Sequence, residues 1–356
     1  MDIEKLLGKQ AAAIDKAIEK YIPRKMDKNA VVFKLSPPKC SYNLDALNKA
    51  ITEPVWEFLD RGGKRWRPGL FLLICEAFGK NPEDFLEYAI IPEVIHNGTL
   101  MVDDIEDQSE KRRGRPCTYR LFGLDIAINA GNAMYYLPLL SLVKNRNKIP
   151  ASTLNKAYEI YVQEMVNLSF GQAMDIAWHR GLADADTISE QDYMQMCAYK
   201  TGTLARIAAK LAATLSGADD ELTDRLGDFA EAIGIAFQIQ DDILDLTGGE
   251  FAEKKGARGM DISEGKRSLM VIRTLQQAKQ ADRKRLLEIL GAHTDEQKLR
   301  DEAIAIIVKH GAIEYAGEYA RRIVRESWSK VDPLLPASGA KEKLRAFADY
   351  LVERRI

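Results

Sequence analysis

The chain has 356 residues, 46% of them hydrophobic and 29% charged, which is enough apolar material for a large core and argues against disorder. Its 51 basic and 53 acidic residues are mixed along the sequence and leave a net charge of -2, so charge gives no reason to expect a nucleic acid partner. The four cysteines form no CxxC pair, the N terminus is acidic, and no uninterrupted apolar run approaches about 20 residues, so we expect a cytoplasmic protein without stable membrane insertion.

Apolar residues recur at helical spacing along nearly the whole chain, whereas strict apolar/polar alternation is scarce. The sequence therefore predicts an all-α fold, a large multi-helix bundle around an apolar cavity. No Gly/Ser/Pro-rich linker divides the chain, so we expect a single domain over residues 1–356. In chain order, the predicted helices cover residues 3–21, 42–60, 67–79, 83–107, 125–145, 151–180, 189–216, 220–246, 267–291, 297–331 and 340–354.

Two aspartate clusters of the form DDxxD follow apolar stretches of two different predicted helices. The first cluster runs from Asp103 to Asp107, and the second runs from Asp241 to Asp245. On a helix of 3.6 residues per turn, the first and last aspartates of a cluster lie one above the other. Acidic residues at a helix C-terminus meet the unfavourable end of the macrodipole, so helix stability does not explain their position.

The carboxylates at issue are Asp103, Asp104, Asp107, Asp241, Asp242 and Asp245. If both clusters faced one cavity, mutual repulsion would raise several pKa values unless cations intervened. Mg²⁺ takes one or two carboxylates and completes its octahedron with water and phosphate oxygens, so paired clusters could bind a diphosphate. Either cluster alone is more often a solvated acidic helix end, and only the two together favour a metal site.

Basic residues flank these clusters in segments suited to phosphate. Gly62-Gly63-Lys64-Arg65-Trp66-Arg67-Pro68 places three cations beside two glycines just before a predicted helix, whose N-terminus favours anions, although a plain basic loop is an equal alternative. Arg112 and Arg113 follow the first cluster closely enough to reach the same oxygens. His96 lies two helical turns before Asp103 on nearly the same face, although a lone histidine is usually structural.

Together these segments resemble the trans-isoprenyl diphosphate synthase (polyprenyl synthetase) family. The resemblance rests on GGKRWRP, IHNGTLMVDDIEDQSEKRRGRP, FGQAMDIAW, KTG, FQIQDDILD and the lysine of DISEGKRS, in that order, over roughly residues 60–270. It implies an enzyme that condenses isopentenyl diphosphate with dimethylallyl, geranyl or farnesyl diphosphate. It also implies three Mg²⁺ ions with substrate bound, replaceable by Mn²⁺, and a homodimer.

The resemblance also implies roles for individual residues. Isopentenyl diphosphate would be bound by Lys64, Arg67, His96 and Arg113. The allylic diphosphate would be bound by Arg112, Lys200, Thr201, Gln238, Lys255 and Lys266. The metal ligands would be Asp103, Asp107 and Asp241, with Asp104, Asp242 and Asp245 as further ligands or as acceptors that orient metal-bound water and lysines. Those acting in the chemical step would be Lys200, Thr201, Gln238, Asp103, Asp104 and Asp241.

Product length in this family depends on what blocks the growing tail along the helix that leads to the first cluster. Gly98 and Thr99 are small and are expected to leave the first turn open, with Ile95 as a deeper stop. The resemblance is greatest to geranylgeranyl diphosphate synthases, so a C20 product is predicted, with C25 or longer chains and the C15 farnesyl product as alternatives.

Two further alternatives belong to other functional classes. A terpene cyclase would share the all-α fold and the first cluster but would replace the second with an Asn/Ser/Glu-type triad. A non-catalytic subunit of a heteromeric synthase would lose one cluster or the substrate lysines. This chain retains all of these features, which favours the catalytic prenyltransferase.

Overall fold

Helices make up nearly all the secondary structure in the computed structural model, which describes residues 3–34, 39–248 and 257–352. The helices of the first half are α1 (Ile3–Tyr21), α2 (Lys28–Lys34), α3 (Leu44–Leu47), α4 (Glu53–Leu59), α5 (Trp66–Ala77), α6 (Leu86–Glu106), α7 (Thr118–Phe122), α8 (Leu124–Tyr136), α9 (Leu140–Lys144) and α10 (Ala151–His179). Those of the second half are α11 (Glu190–Cys197), α12 (Thr203–Ser216), α13 (Asp220–Thr247), α14 (Met260–Ser263), α15 (Leu269–Gln277), α16 (Gln280–Gly291), α17 (Gln297–Lys309), α18 (Ala312–Val331) and α19 (Gly339–Val352). The all-α prediction is confirmed.

Shorter elements join these helices. Turns of 3-10 helix cover Pro82–Phe85, Leu137–Leu139, Arg146–Lys148, Ala185–Thr187 and Asp332–Leu334. Two π-helical turns cover Asn48–Thr52 and Ala198–Gly202. Strands β1 (Lys111–Arg112) and β2 (Arg115–Pro116) pair antiparallel and form the one sheet in the described residues.

The chain packs as two compact units. The first comprises the described parts of Met1–Ile160, Ile207–Thr223 and Leu335–Leu344, and the second those of Tyr161–Arg206, Asp224–Leu334 and Arg345–Ile356. The prediction of a single domain stays a prediction, as does that of an apolar cavity.

Helix α6 is the central helix of the first unit and contacts α1, α5 and α8. The sequence of α6 explains this position. The helix is apolar on most of its circumference, so it is buried by neighbours on several sides. Pro92 lies inside the helix without ending it. The surrounding core consists of Ile14, Ala17, Ile18, Tyr21, Ile22, Val55, Trp56, Phe58, Leu59, Ile90, Val94, Met101, Ala130 and Met134.

The second unit includes α11, α15, α16, α17 and α18 and most of α10 and α13. Helix α18 buries one stripe at helical spacing, from Ala316 and Ala320 to Val324 and Trp328. The Trp328 ring lies 5.2 Å from that of Phe229 on α13, centroid to centroid. This aromatic contact fixes α18 against the helix that bears the second aspartate cluster.

The predicted helices agree with the structure where their periodicity is long, as in 3–21 and 220–246. Residues 267–291 and 297–331 each form two helices instead of one, separated at Ala278-Lys279 and at His310-Gly311. Gly311 has φ of 64°, a left-handed conformation that ends α17 and starts α18. Helices α2, α7 and α14 and the β1–β2 hairpin were not predicted.

One stretch of the described residues, Leu124–Lys144, is apolar and long enough to cross a membrane by length and composition. It comprises α8, the turn at Pro138 and α9, so it is not one uninterrupted α-helix. A single such stretch is weak evidence, since core helices of soluble proteins pass the same test. The prediction that the chain does not insert into membranes therefore stays a prediction.

Candidate active site

The first aspartate cluster lies at the C-terminal end of α6, and the β1–β2 hairpin follows it. Asp104 is fully buried, and its Oδ1 accepts hydrogen bonds from Nε and Nη2 of Arg112 at 2.7 and 2.6 Å. Asp103 is partly exposed, with Oδ2 3.6 Å from Arg112 Nη2. Asp107 is also partly exposed. The cluster thus holds one buried carboxylate that fixes an arginine and two that reach the surface.

Arg112 lies at the end of β1, directly before the tight turn of the hairpin. Arg113 and Gly114 have φ of 53° and 75°, the left-handed pair that a two-residue hairpin needs. Burial raises the pKa of Asp104, while the Arg112 guanidinium opposes this shift. Because the pair is desolvated, removing either partner would leave the other poorly compensated.

Two of the other residues predicted to bind isopentenyl diphosphate, Arg67 and Arg113, lie near His96. Burial lowers the pKa of His96 well below its usual value, and the nearby cations Arg67 and Arg113 lower it further. Burial likewise lowers the pKa of Arg113 to about 10, with added repulsion from neighbouring arginines. A desolvated, crowded set of positive groups is suited to an anion, which would relieve the repulsion. Lys64 is 40% exposed, with Nζ 3.7 Å from Glu4 Oε1.

A buried hydrogen-bond chain on α6 holds this basic cluster in place. Arg65 has φ of 48° at the start of α5, and its Nη1 donates to Glu93 Oε1 at 2.8 Å. Asn97 donates to the same oxygen at 2.9 Å and accepts from Arg113 Nη2 at 3.3 Å. Sequence reasoning missed Glu93 and Asn97, although two polar residues four apart in an apolar helix are a usable signal.

The second cluster lies on α13, and its first aspartate is again more exposed than its second. Asp242 is buried and accepts from Tyr193 Oη at 2.7 Å and from Gln238 Nε2 at 2.8 Å. Asp245 is fully buried, and its Oδ2 accepts the backbone N–H of Asp261 at 3.1 Å. Asp241 is partly exposed. Tyr193 was not predicted as a site residue.

The residues Lys200 and Thr201 belong to the π-helical turn Ala198–Gly202. A Cβ on Gly171 of α10 would lie 2.3 Å from the backbone nitrogen of Lys200. A Cβ on Gly234 of α13 would lie 2.6 Å from Gly202 Cα. Glycine is therefore required at both positions for the three segments to meet. Such π turns occur frequently at functional sites.

Side-chain contacts then fix the polar groups of this turn. Lys200 Nζ donates to Asp175 Oδ2 at 2.5 Å, and Thr201 Oγ1 donates to Gln238 Oε1 at 2.9 Å. Lys266 Nζ pairs with Glu264 and lies 3.8 Å from Asp261 Oδ1. Burial lowers the pKa of His179, which Lys266 and Lys200 lower further. Both lysines therefore lie near His179 in the second unit. Lys255 lies outside the described residues.

The residues predicted to set product length differ in their surroundings. A Cβ on Gly98 would lie 2.8 Å from both the Gly131 carbonyl oxygen and Met134 Cβ. The expectation that Gly98 leaves open space is therefore wrong, because its Cα packs directly on α8. Thr99 is partly exposed and donates from Oγ1 to the His96 carbonyl at 2.8 Å, and Ile95 is fully buried.

The partly exposed aspartates fit a hard divalent cation. In the described residues no three His, Cys, Asp or Glu side chains approach closely enough to enclose an ion. Mg²⁺ does not need such an enclosure, since it keeps several waters and adds substrate oxygens to one or two carboxylates. Asp103 and Asp107 in the first unit and Asp241 in the second each present a partly exposed carboxylate of that kind, and their role as metal ligands stays a prediction.

Comparisons with known proteins agree with these features. A family model described as Polyprenyl synthetase matches residues 48–307. The chain is 37% identical to a short chain isoprenyl diphosphate synthase of Methanothermobacter thermautotrophicus, over 82% of this chain and 87% of that protein. It is 32% identical to a geranylgeranyl diphosphate synthase of Sulfolobus acidocaldarius, over 85% and 90%. A crystal structure of geranylgeranyl pyrophosphate synthetase from Pyrococcus horikoshii matches with a TM-score of 0.84 at 30% identity, over 99% of both chains.

Proposed function

Because the chain belongs to the polyprenyl synthetase family, we propose that it condenses isopentenyl diphosphate with an allylic diphosphate, with Mg²⁺, to give geranylgeranyl diphosphate. The observation that carries the proposal is the pair of DDxxD clusters, each with a buried second aspartate fixed by donors and a partly exposed first aspartate. A surface acidic patch would have no such internal support. Prenyltransferase activity itself accords with the family and its relatives.

The proposed metal ligands are Asp103, Asp107 and Asp241, with Asp104, Asp242 and Asp245 in support. When bound, the divalent ions would neutralise the departing diphosphate and so favour ionisation of the allylic substrate. The number of ions, three, and replacement by Mn²⁺ stay predictions. That both clusters act on one diphosphate also stays a prediction.

Protein cations would bind the two substrates. We assign isopentenyl diphosphate to Arg67, His96 and Arg113, whose crowding supports an anion site, and retain Lys64 as a more exposed contributor. The allylic diphosphate falls to Arg112, Lys200 and Lys266, and on the resemblance also to Lys255. The ion pairs with Asp104 and Asp175 hold the Arg112 guanidinium and the Lys200 ammonium in defined positions.

The dipoles of the π turn and of Gln238 are suited to the carbocation that forms. Thr201 Oγ1 and Gln238 are hydrogen-bonded, so their lone pairs are oriented before the reaction begins. The isopentenyl double bond attacks the cation, a new carbon–carbon bond forms, and the released diphosphate takes the proton. No strongly basic side chain is required.

The C20 product is supported by the relatives named geranylgeranyl diphosphate synthases and by Thr99, which is small and partly exposed. Ile95, one helical turn deeper, is the proposed stop. Products of C25 or longer and the C15 product remain the alternatives.

A homodimer is supported by exposed apolar side chains. In the second unit, Val162, Val166 and Phe170 of α10 form one exposed stripe at i, i+4 and i+8. In the first unit, Leu124 and Ile128 of α8 are exposed in the same way. Such stripes favour association. Val166→Asp should convert the assembly to monomers in sedimentation velocity, and an unchanged sedimentation coefficient would exclude α10 from the interface.

The activity is tested by incubating the purified protein with Mg²⁺, isopentenyl diphosphate and each of dimethylallyl, geranyl and farnesyl diphosphate, then separating products by chain length. Elongated diphosphates ending at C20 are expected, and they should be absent with Asp103→Asn or Asp241→Asn. A cyclic hydrocarbon would identify a terpene cyclase, and activity only with a second subunit would identify a heteromeric synthase. No product under any of these conditions would refute the proposal.

A further inference from the structure

A hydrogen-bond chain in the second unit joins the second aspartate cluster to the π turn. Thr201 Oγ1 donates to Gln238 Oε1, and Gln238 Nε2 donates to Asp242 Oδ1, at 2.9 and 2.8 Å. The other oxygen of Asp242 accepts from Tyr193 Oη at 2.7 Å. Each carboxylate oxygen of Asp242 thus has its own donor, and the donors come from two different helices, α13 and α11.

Tyr193 is more deeply buried than the two other donors of this hydrogen-bond chain, Gln238 and Thr201. Its side chain is 1% exposed, whereas Gln238 and Thr201 are partly exposed. Burial raises the pKa of Tyr193 well above its usual value, and Asp242 and Cys197 add to this. The phenol hydroxyl acts as the donor in its hydrogen bond to Asp242. Burying a hydroxyl costs desolvation free energy unless the hydroxyl forms a hydrogen bond. Here the bond to Asp242 supplies that compensation.

The first cluster repeats this arrangement with other residues. Its second aspartate, Asp104, is also buried, and its Oδ1 is fixed by a donor from another segment, Arg112. In each cluster the buried second aspartate therefore anchors the helix turn that presents the more exposed first aspartate. Tyr193 occupies, for Asp242, the place that Arg112 occupies for Asp104.

We propose that Tyr193 is a positioning residue for prenyl transfer, which holds Asp242 and, through Gln238, fixes the orientation of Thr201 Oγ1. The role in prenyl transfer rests on the proposed function, whereas the hydrogen bonds of Tyr193, Asp242, Gln238 and Thr201 do not depend on it. Without the phenol, Asp242 loses the donor to its Oδ2, and its carboxylate is held less firmly. The turn that presents Asp241 then loses order, and the binding of Mg²⁺ with diphosphate weakens.

The test compares Tyr193→Phe with Tyr315→Phe. Both changes remove only a hydroxyl that donates to a carboxylate in the second unit, and the Tyr315 bond goes to Glu190 Oε2 at 2.6 Å and not to an aspartate of either cluster. Titration calorimetry with Mg²⁺ and inorganic diphosphate measures binding without turnover. Tyr193→Phe should weaken this binding and lower kcat roughly ten-fold, the size of one lost hydrogen bond to a charged group, with KM for isopentenyl diphosphate unchanged. Equal behaviour of the two variants would overturn the proposal.

A double-mutant cycle with Asp242→Ala tests whether Tyr193 acts through Asp242. Tyr193→Phe should have little further effect on Mg²⁺–diphosphate binding when Asp242 is absent, and additive effects would overturn the proposal. Thermal unfolding checks each variant. If Tyr193→Phe does not fold, Gln238→Met removes the donor to Asp242 Oδ1, and unchanged Mg²⁺–diphosphate binding by that variant would overturn the proposal. If the wild type binds Mg²⁺–diphosphate but makes no product, the proposed function fails while the calorimetry still decides the role of Tyr193.

Discussion

Replacement of Gly98 by alanine should separate two helices of the first unit. The added Cβ would lie 2.8 Å from the Gly131 carbonyl oxygen and from Met134 Cβ, closer than real Cβ contacts occur. Neither atom is the end of a flexible side chain, so neither can rotate away. The strain must be relieved by moving α6 and α8 apart along a contact in which both helices are buried.

The magnitude follows from a matched control, Gly8→Ala in α1. Nothing lies within 4 Å of a Cβ at Gly8, and its position is exposed. Both changes gain the same ~1 kcal/mol of helix propensity. Gly98→Ala alone adds an overpacking cost of about 1–3 kcal/mol. The difference between the two variants is therefore the overpacking term itself.

Thermal and urea unfolding of both variants measures this difference. Gly8→Ala should unfold at or above the wild-type midpoint, and Gly98→Ala should unfold below it. A Gly98→Ala variant at least as stable as Gly8→Ala would refute the close packing of α6 on α8. The outcome also decides how product length can be probed, because a bulky residue at position 98 would disturb the fold before it touched a growing isoprenoid.

Four further outcomes are expected. Thr99→Phe should shift the product distribution toward C15 in chromatography of the reaction products, and an unchanged distribution would exclude position 99 from control of length. Burial and the surrounding arginines lower the pKa of His96, so the folded state resists protonation of this side chain. The free energy of unfolding should therefore fall as the pH drops below about 6.5, the usual histidine pKa. His96→Asn should flatten this pH dependence in urea titrations between about pH 5 and 8. Asp104→Asn should lose about 1–3 kcal/mol of stability by weakening the Arg112 pair, against almost none for the exposed Asp125→Asn, and equal losses would contradict the buried pair. Gly171→Ala should lower kcat by displacing the backbone at Lys200, whereas Gly291→Ala, with open space at its Cβ, should not.

Much of the fold could be predicted because its signal is local. The apolar repeat of 220–246 lies entirely within one helix, and its period alone gives the element almost to the residue. The same local signal fails between 297 and 331. There the apolar repeat continues past His310, so only the left-handed glycine at position 311 reveals that two helices are present.

The candidate site was predictable in its acidic and basic groups but not in their support. The partners Tyr193 and Asp242 are 49 residues apart, and no spacing rule joins them. The role of Gly98 was misjudged for a similar reason. A small residue next to an acidic cluster suggests space for a tail, but the space is filled by α8, which sequence reasoning did not place against it.

The π turn at Ala198–Gly202 has a consequence for length variation in this chain. Its hydrogen bonds span five residues instead of four, so α11 and α12 are joined through one residue more than a regular helix needs. Removing a single residue from an ordinary helix rotates everything beyond it by about 100°. Here a one-residue deletion would convert the π turn into a regular α-helical turn, so that α11 and α12 keep their relative rotation. Only the side chains of Lys200 and Thr201 would then point in new directions. Natural gain or loss of a residue at this point would thus be a route by which binding groups change while the scaffold persists.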